Sequence, residues 1–137
     1  MKKLINLSGL YGLLALASGV ATREITKAYG YHGYTALGVT HVHLFVLGTL
    51  LYLSLAGFSK TTDLMQKKDF RKFLRLYNVA LPFMVIMMYV KGIQESLGVT
   101  LSKGALGMRA GVSGLSHLLV AVALFFLFKA LKDVAKE

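Results

Sequence analysis

The chain has 137 residues, of which 55% are hydrophobic and 16% are charged, and its mean hydropathy is +0.61. A water-soluble domain of this size is less apolar and more charged, so these values exclude a soluble globular fold. The net charge of +10 lies in clusters between long apolar runs. Basic residues in that position interact with lipid and set membrane topology, so no nucleic-acid partner is expected. The absence of cysteine excludes disulfides and thiolate metal sites.

Four apolar runs predict four membrane-spanning helices within one domain, residues 1–137. The predicted spans are residues 4–21, 36–58, 73–90 and 110–128. Each is close to the length of about 20 residues that crosses a bilayer. The segments between them are a short polar loop at residues 23–33, an amphipathic connector at residues 59–72 and a glycine-rich connection at residues 92–109. We therefore predict an all-α, up-and-down four-helix bundle. The first span also has small residues along one face, which allow a neighbouring helix to approach closely. These are Ser8, Gly12, Ala15 and Gly19.

The distribution of basic residues predicts how the bundle is oriented. With four spans, both termini and the loop between the second and third spans lie on the same side. That side holds eleven Lys and Arg residues, whereas the other side holds five. Basic loops stay in the cytoplasm, so we expect both termini to be cytoplasmic in a multi-pass membrane protein.

The second span contains two histidines, His41 and His43, inside an apolar stretch. An ionisable side chain within the membrane is costly and indicates a functional site. Positions two residues apart on a helix project about 200° apart, so these two side chains cannot face the same point. This separation favours one metal ligand from each helix over a compact site built from both histidines.

A third histidine, His117, lies in the fourth span at a depth similar to that of His41. His41 follows Ala36 by five residues and His117 follows Arg109 by eight. At 1.5 Å per residue, both lie about 8–12 Å from the same side of the bundle. The second and fourth helices of such a bundle are diagonal partners that face one core. We therefore predict that His117 and one of the other two histidines ligate the iron of a single haem b.

Small and basic residues extend this predicted site. Gly38 and Gly48 share the face of His41, and for that reason we prefer His41 over His43 as the second ligand. Gly114 precedes His117 by one turn, where bare backbone would allow a flat macrocycle to approach. Three basic residues on the same side as the histidines are candidates for pairing with haem propionates. They are Arg23, Lys27 and Arg109.

Other interpretations of the histidines remain open from the residues alone. Imidazole also binds copper and zinc, but a site made only of protein ligands needs three or four that converge, so these metals are less favoured. Neutral imidazoles could instead join helices by hydrogen bonds, in a structural or assembly protein. A small proton or ion relay, or a transporter, is the third alternative.

Over its full length the sequence resembles a family of small bacterial four-helix membrane proteins of uncharacterised function. The similarity lies in residues 2–7, 23–27, 41–48 and 113–117. The second of these segments reads Arg-Glu-x-x-Lys, and the third reads His-x-His-x-x-x-x-Gly. The third is also similar to the haem-ligating second helix of the catalytic subunit of haem–copper oxidases and nitric oxide reductases. That subunit resembles three four-helix arcs around a pseudo-threefold axis, so the resemblance implies a one-arc relative that binds haem and assembles as a homotrimer.

The chain also departs from those enzymes. It lacks the further histidines that would hold a copper beside a second haem, and its third span contains no histidine. Oxygen reduction by this chain alone is therefore not expected, and any enzymatic role would be that of an oxidoreductase. The resemblance implies haem binding, with electron transfer to or from a quinone or another redox partner, or with the binding and sensing of a gas.

Overall fold

The computed structural model describes residues 1–136, which form four long helices joined by short connections and contain no β-strand. The helices are α1 (Lys2–Ala28), α2 (Ala36–Phe58), α3 (Lys68–Ser96) and α4 (Lys103–Val134). All four are long and apolar enough to cross a membrane. The predicted all-α, four-helix membrane fold is confirmed. We call the end of the bundle that holds both termini the terminal end and the opposite end the distal end.

The helices extend beyond the apolar spans because their ends are determined by backbone hydrogen bonds. At the distal end, α1 and α3 each stop before a glycine with positive φ, Gly30 at 60° and Gly98 at 63°. Around Gly30, Tyr31 N–H donates to Thr26 C=O over 2.9 Å, and the glycine N–H donates to the Lys27 carbonyl. This pairing is the Schellman motif, and it recurs around Gly98. The α4 helix begins after Ser102, whose hydroxyl accepts the Ala105 N–H.

The four helices form an open arc. The α2 helix packs between α1 and α3, and α3 packs between α2 and α4. Within residues 1–136, α4 makes no comparable contact with α1 or α2. None of the residues from 103 to 115 is buried, whereas Ser116, Val120 and Ala123 further along α4 are. The distal half of α4 therefore contributes only one wall to the space between the helices, and the bundle stays open there.

An aromatic column fills the core towards the terminal end. Tyr11 stacks on Tyr52 with ring centroids 5.7 Å apart, and Tyr52 meets the edge of Tyr77 at 5.8 Å. Phe73 packs on Tyr77 at 4.9 Å. The Tyr52 hydroxyl donates to Asn78 Oδ1 over 3.1 Å. Aromatic rings bury large apolar areas and these pairs have favourable geometry, so the column makes the terminal half of the bundle rigid.

The middle of α2 is wound as a π-helix over Leu44–Leu50, immediately after His43. The wider turn leaves backbone carbonyls available to neighbouring helices. The Tyr77 hydroxyl donates to the Leu47 carbonyl, and Ser8 Oγ donates to the Thr49 carbonyl, each over 2.9 Å. These bonds fasten α2 to both neighbours just below the two histidines. The apolar pattern of the second span had not indicated this change of helix type.

An acidic residue joins α3 to α4 at the terminal end. Asp69 is buried, and its two carboxylate oxygens accept from Lys72 and Lys129, each over 2.9 Å. Lys129 lies on α4, so this ion pair links the start of one helix to the end of the other. A nearby pair between Lys67 and Asp63, at 3.0 Å, has a more exposed carboxylate than that of Asp69.

We expect Asp69→Asn to lower the free energy of unfolding in detergent by about 1–2 kcal/mol, because charged hydrogen bonds to a buried carboxylate are lost. Asp63→Asn is the matched control and should change it by no more than about 0.5 kcal/mol, as is usual for an exposed pair. Denaturant titration followed by circular dichroism measures both. Equal losses in the two variants would contradict a linking role for Asp69.

Candidate functional site

A cavity of ≈ 450 Å³ opens between α2, α3 and α4 in the distal half of the bundle. His43 of α2 and His117 of α4 both line it, although these two helices do not pack on each other. Met87 and Met88 of α3 form the apolar wall between them. The cavity exists because α4 diverges from the arc here, so the open fold itself creates the space that the two histidines share.

Both cavity histidines are held in the same way. In His43, Nδ1 lies 2.8 Å from the Val39 carbonyl oxygen, one turn earlier on the same helix. In His117, Nδ1 lies 2.8 Å from the Ser113 carbonyl oxygen, again one turn earlier. A carbonyl oxygen only accepts, so Nδ1 donates in each ring, and in the neutral form of the ring Nε2 keeps its lone pair. Metal-ligating histidines characteristically donate their second ring N–H in this manner.

His41 lies on another side of α2. It does not line the cavity, and its ring packs close to Gly19 of α1: a Cβ added to that glycine would lie 3.9 Å from His41 Cγ. Its Nδ1 is buried and has no hydrogen-bond partner within residues 1–136. The small-residue face of α1 therefore contacts this histidine, and the predicted separation of the two α2 histidines is observed. The cavity brings His117 together with His43, not with His41 as we had preferred.

The glycines that supported the preference for His41 have other neighbours. Gly48 packs against the side chain of Tyr11 in the aromatic column, where any Cβ would overlap that ring. Gly38 has no atom near its Cβ position and lines a second hollow beside His32 and Thr22. Gly114, by contrast, lies one turn before His117 and has open space beside it. Of these three glycines, only Gly114 stands next to a histidine of the cavity.

The predicted propionate partners do not line the cavity. Arg23 and Lys27 lie exposed on α1, which takes no part in its walls. Arg109 Nη1 donates to Gln94 Oε1 over 2.9 Å and lines a separate hollow between α3 and α4. These three residues were chosen as propionate partners because they lie at the same end of the bundle as the histidines. That criterion was too weak, because residues at the distal end belong to four helices and only some of them line the cavity.

Two charged residues missed in the sequence stand in the wall of the cavity instead. Lys91 and Glu95 of α3 both line it, 3.7 Å apart between Nζ and Oε1. Glu95 Oε2 also accepts the Ala36 N–H over 2.8 Å and so secures the first turn of α2. Lys91 follows Met87 by four residues, and Glu95 follows Lys91 by four. This spacing places both charged residues on the helix face of Met87, and it could have indicated them.

The described residues contain no group of three or more His, Asp or Glu side chains that could hold a metal ion on their own. Residues 1–136 therefore do not supply the three or four ligands that a copper or zinc site made of protein side chains alone needs. His43 and His117 reach the cavity from two different helices, and within residues 1–136 neither Nε2 has a hydrogen-bond partner, which suits a metal that brings its own further ligands. The cavity residues fit haem b in this respect.

A family model described as a protein of unknown function, DUF2871, matches residues 1–134. The chain belongs to this family. No curated protein matches it, and no solved structure matches it. The family description assigns no activity, so the function must be argued from the cavity and its histidines.

Proposed function

We propose that this protein is an integral membrane b-type cytochrome, in which His43 and His117 ligate a haem b iron from opposite sides. The observation that supports the proposal is the shared cavity, where both Nδ1–H groups are committed to carbonyls and both Nε2 atoms are free. When bound, haem with two imidazole ligands supplies one-electron exchange. A quinone or another redox partner in the membrane would provide or accept the electron.

The other residues of the cavity would hold and insulate the cofactor. Met87 and Met88 supply an apolar, adaptable surface for the macrocycle. Open space at Gly114 leaves room beside His117. Lys91 lines the cavity, and it, rather than Arg23, Lys27 or Arg109, would pair with a propionate, with Glu95 holding the first turn of α2 beside it.

We also propose that copies of the chain associate around this site. The His117 side chain is exposed, and within residues 1–136 no other long helix packs closely on the side of α4 away from α3. Imidazoles that face lipid directly are costly, so a second copy that covers the cavity would relieve that cost. A homotrimer, which the resemblance implies, would close the arcs into a ring. The excess of basic residues at the terminal end supports an orientation with both termini in the cytoplasm of a bacterial inner membrane.

An absorption spectrum of protein purified from cells supplied with haem tests the proposal. We expect a Soret band, sharp α and β bands on reduction, and no change on adding carbon monoxide, because His43 and His117 would together leave no position on the iron for it. A spectral shift with carbon monoxide would instead show a vacant position and support gas binding. No Soret band, either as purified or after haem addition, would refute haem binding and leave the helix-bridging and proton-relay alternatives.

A further inference from the structure

A second candidate site lies at the terminal end, far from the histidine cavity. Lys72, Arg75, Leu76 and Val79 of α3 and Phe126 of α4 line a groove of ≈ 420 Å³ along the seam between these helices. We call it the basic groove. Its two cations lie in the first turns of α3, with Leu76 directly after Arg75 and Val79 one turn further into the predicted span. Phe126 of α4 packs beside Lys72, so an apolar surface begins next to the cations and continues along α3 to Val79.

The two cations differ in how far they are already neutralised. Lys72 Nζ is held by Asp69 and lies 5.2 Å from the centre of the Phe126 ring, so its position is defined by both helices. Arg75 is exposed, and no carboxylate within residues 1–136 lies in ion-pairing distance of it. Asp69 is shared between Lys72 and Lys129, and Asp133 also acts on Lys129, so Arg75 is the cation that gives the cluster its net positive charge.

We propose that the basic groove binds one anionic glycerophospholipid of the adjoining leaflet. Its phosphate would lie between Lys72 and Arg75, where the guanidinium offers two parallel donors to phosphate oxygens. Its acyl chains would run over Leu76, Val79 and Phe126 towards the bilayer centre. Charge complementarity selects an anionic lipid over a zwitterionic one, because the groove presents cations and no free carboxylate. This site is independent of the histidines and of any haem.

The chain contains no tryptophan, so a single tryptophan can report on this groove alone. Val79→Trp places the reporter on the groove wall, where the native side chain is 66% exposed. Leu13→Trp on α1 is the matched control: it is 69% exposed, and each position follows the first residue of its helix by eleven. Each variant is reconstituted in two sets of phosphatidylcholine nanodiscs, one containing brominated phosphatidylglycerol and the other containing brominated phosphatidylcholine. A brominated lipid quenches tryptophan fluorescence on contact, so the two sets together give the lipid preference at each position.

We expect the Val79→Trp reporter to favour brominated phosphatidylglycerol over brominated phosphatidylcholine by at least about fivefold, since one basic residue near the headgroup contributes about that factor. The Leu13→Trp reporter should show no preference. Equal preference at the two positions would overturn the proposal, because it would reflect general attraction to a basic protein.

A second pair of variants tests the role of Arg75. In the Val79→Trp background, Arg75→Gln should lower the preference for phosphatidylglycerol about fivefold. Arg71→Gln removes the same charge one turn earlier, outside the groove lining, and should change the preference less than about twofold. Equal losses from both substitutions would refute a defined phosphate contact at Arg75. Circular dichroism of each variant verifies that the helices remain folded.

Discussion

Replacing either cavity histidine by glutamine is expected to remove bound haem, whereas the same change at His41 should leave it in place. Glutamine approximates the size of histidine but offers no nitrogen that ligates haem iron. His43→Gln and His117→Gln should therefore lose the Soret band on purification. His41→Gln should retain it, because that ring packs beside Gly19 and lies outside the cavity.

The contrast between two positions on the same helix makes this experiment decisive. His41 and His43 are both in the second span, so a variant of either perturbs α2 to a similar degree. Haem loss in His41→Gln with retention in His43→Gln would restore the pairing that Gly38 and Gly48 had suggested. Retention in all three variants would show that any bound haem lies elsewhere, and a pyridine haemochrome assay gives the haem content of each.

The number of helices and their membrane-spanning character were predictable, because both depend almost entirely on the number and length of the hydrophobic runs. Four runs gave four spans, and all four correspond to helices in the structure. The ends were predicted less well, since the spans were cut where polar residues began. Gly98 lies within the segment predicted as a glycine-rich connection, yet its positive φ marks the place where α3 stops. Reading that glycine as a helix terminator would have extended α3 beyond residue 90.

Which histidine of α2 faces the cavity could not be predicted, because it depends on relations between helices. The periodicity of one helix separates His41 from His43, and that separation is observed. It does not say which neighbour each side faces. The packing of α1 against the face that holds His41, and the position of α4 across from His43, decide the matter. The depth argument paired His117 with α2, and His117 does share a cavity with a histidine of that helix, but the argument could not distinguish residues two positions apart.

The open arc was also beyond the sequence pattern. An up-and-down bundle was expected to place the second and fourth helices diagonally around a closed core. Within residues 1–136, α4 instead packs mainly on α3, and Lys91 and Glu95 of α3 enter the wall of the cavity. Neither residue had been included in the predicted site. Their spacing after Met87 indicates which face of α3 they share, but the gap in the arc that makes this face a cavity wall depends on how the helices pack together.

Alanine substitutions at three glycines test the helix packing, because two should lower the free energy of unfolding and the third should raise it. A Cβ at Gly92 of α3 would lie 2.5 Å from the Leu37 backbone nitrogen and 2.6 Å from its Cγ. A Cβ at Gly48 would overlap Tyr11, whose ring is held by stacking on Tyr52. We expect Gly92→Ala and Gly48→Ala each to lower the free energy of unfolding by about 1–3 kcal/mol, because overpacking forces the helices apart. The Gly92 variant should show the larger effect, since backbone cannot rotate away as a side chain can.

The third glycine separates helix packing from cofactor binding. A Cβ at Gly114 meets nothing within 4 Å, so Gly114→Ala should raise the free energy of unfolding of the haem-free protein by about 0.5–1 kcal/mol through helix propensity. Gly114→Leu should leave the haem-free helices folded but reduce haem content, since its side chain would project beside His117. Denaturant titration and the haemochrome assay measure the two effects separately. Unchanged haem content in Gly114→Leu would show that the macrocycle does not approach this face of α4, and destabilisation by Gly114→Ala would show that another helix already covers it.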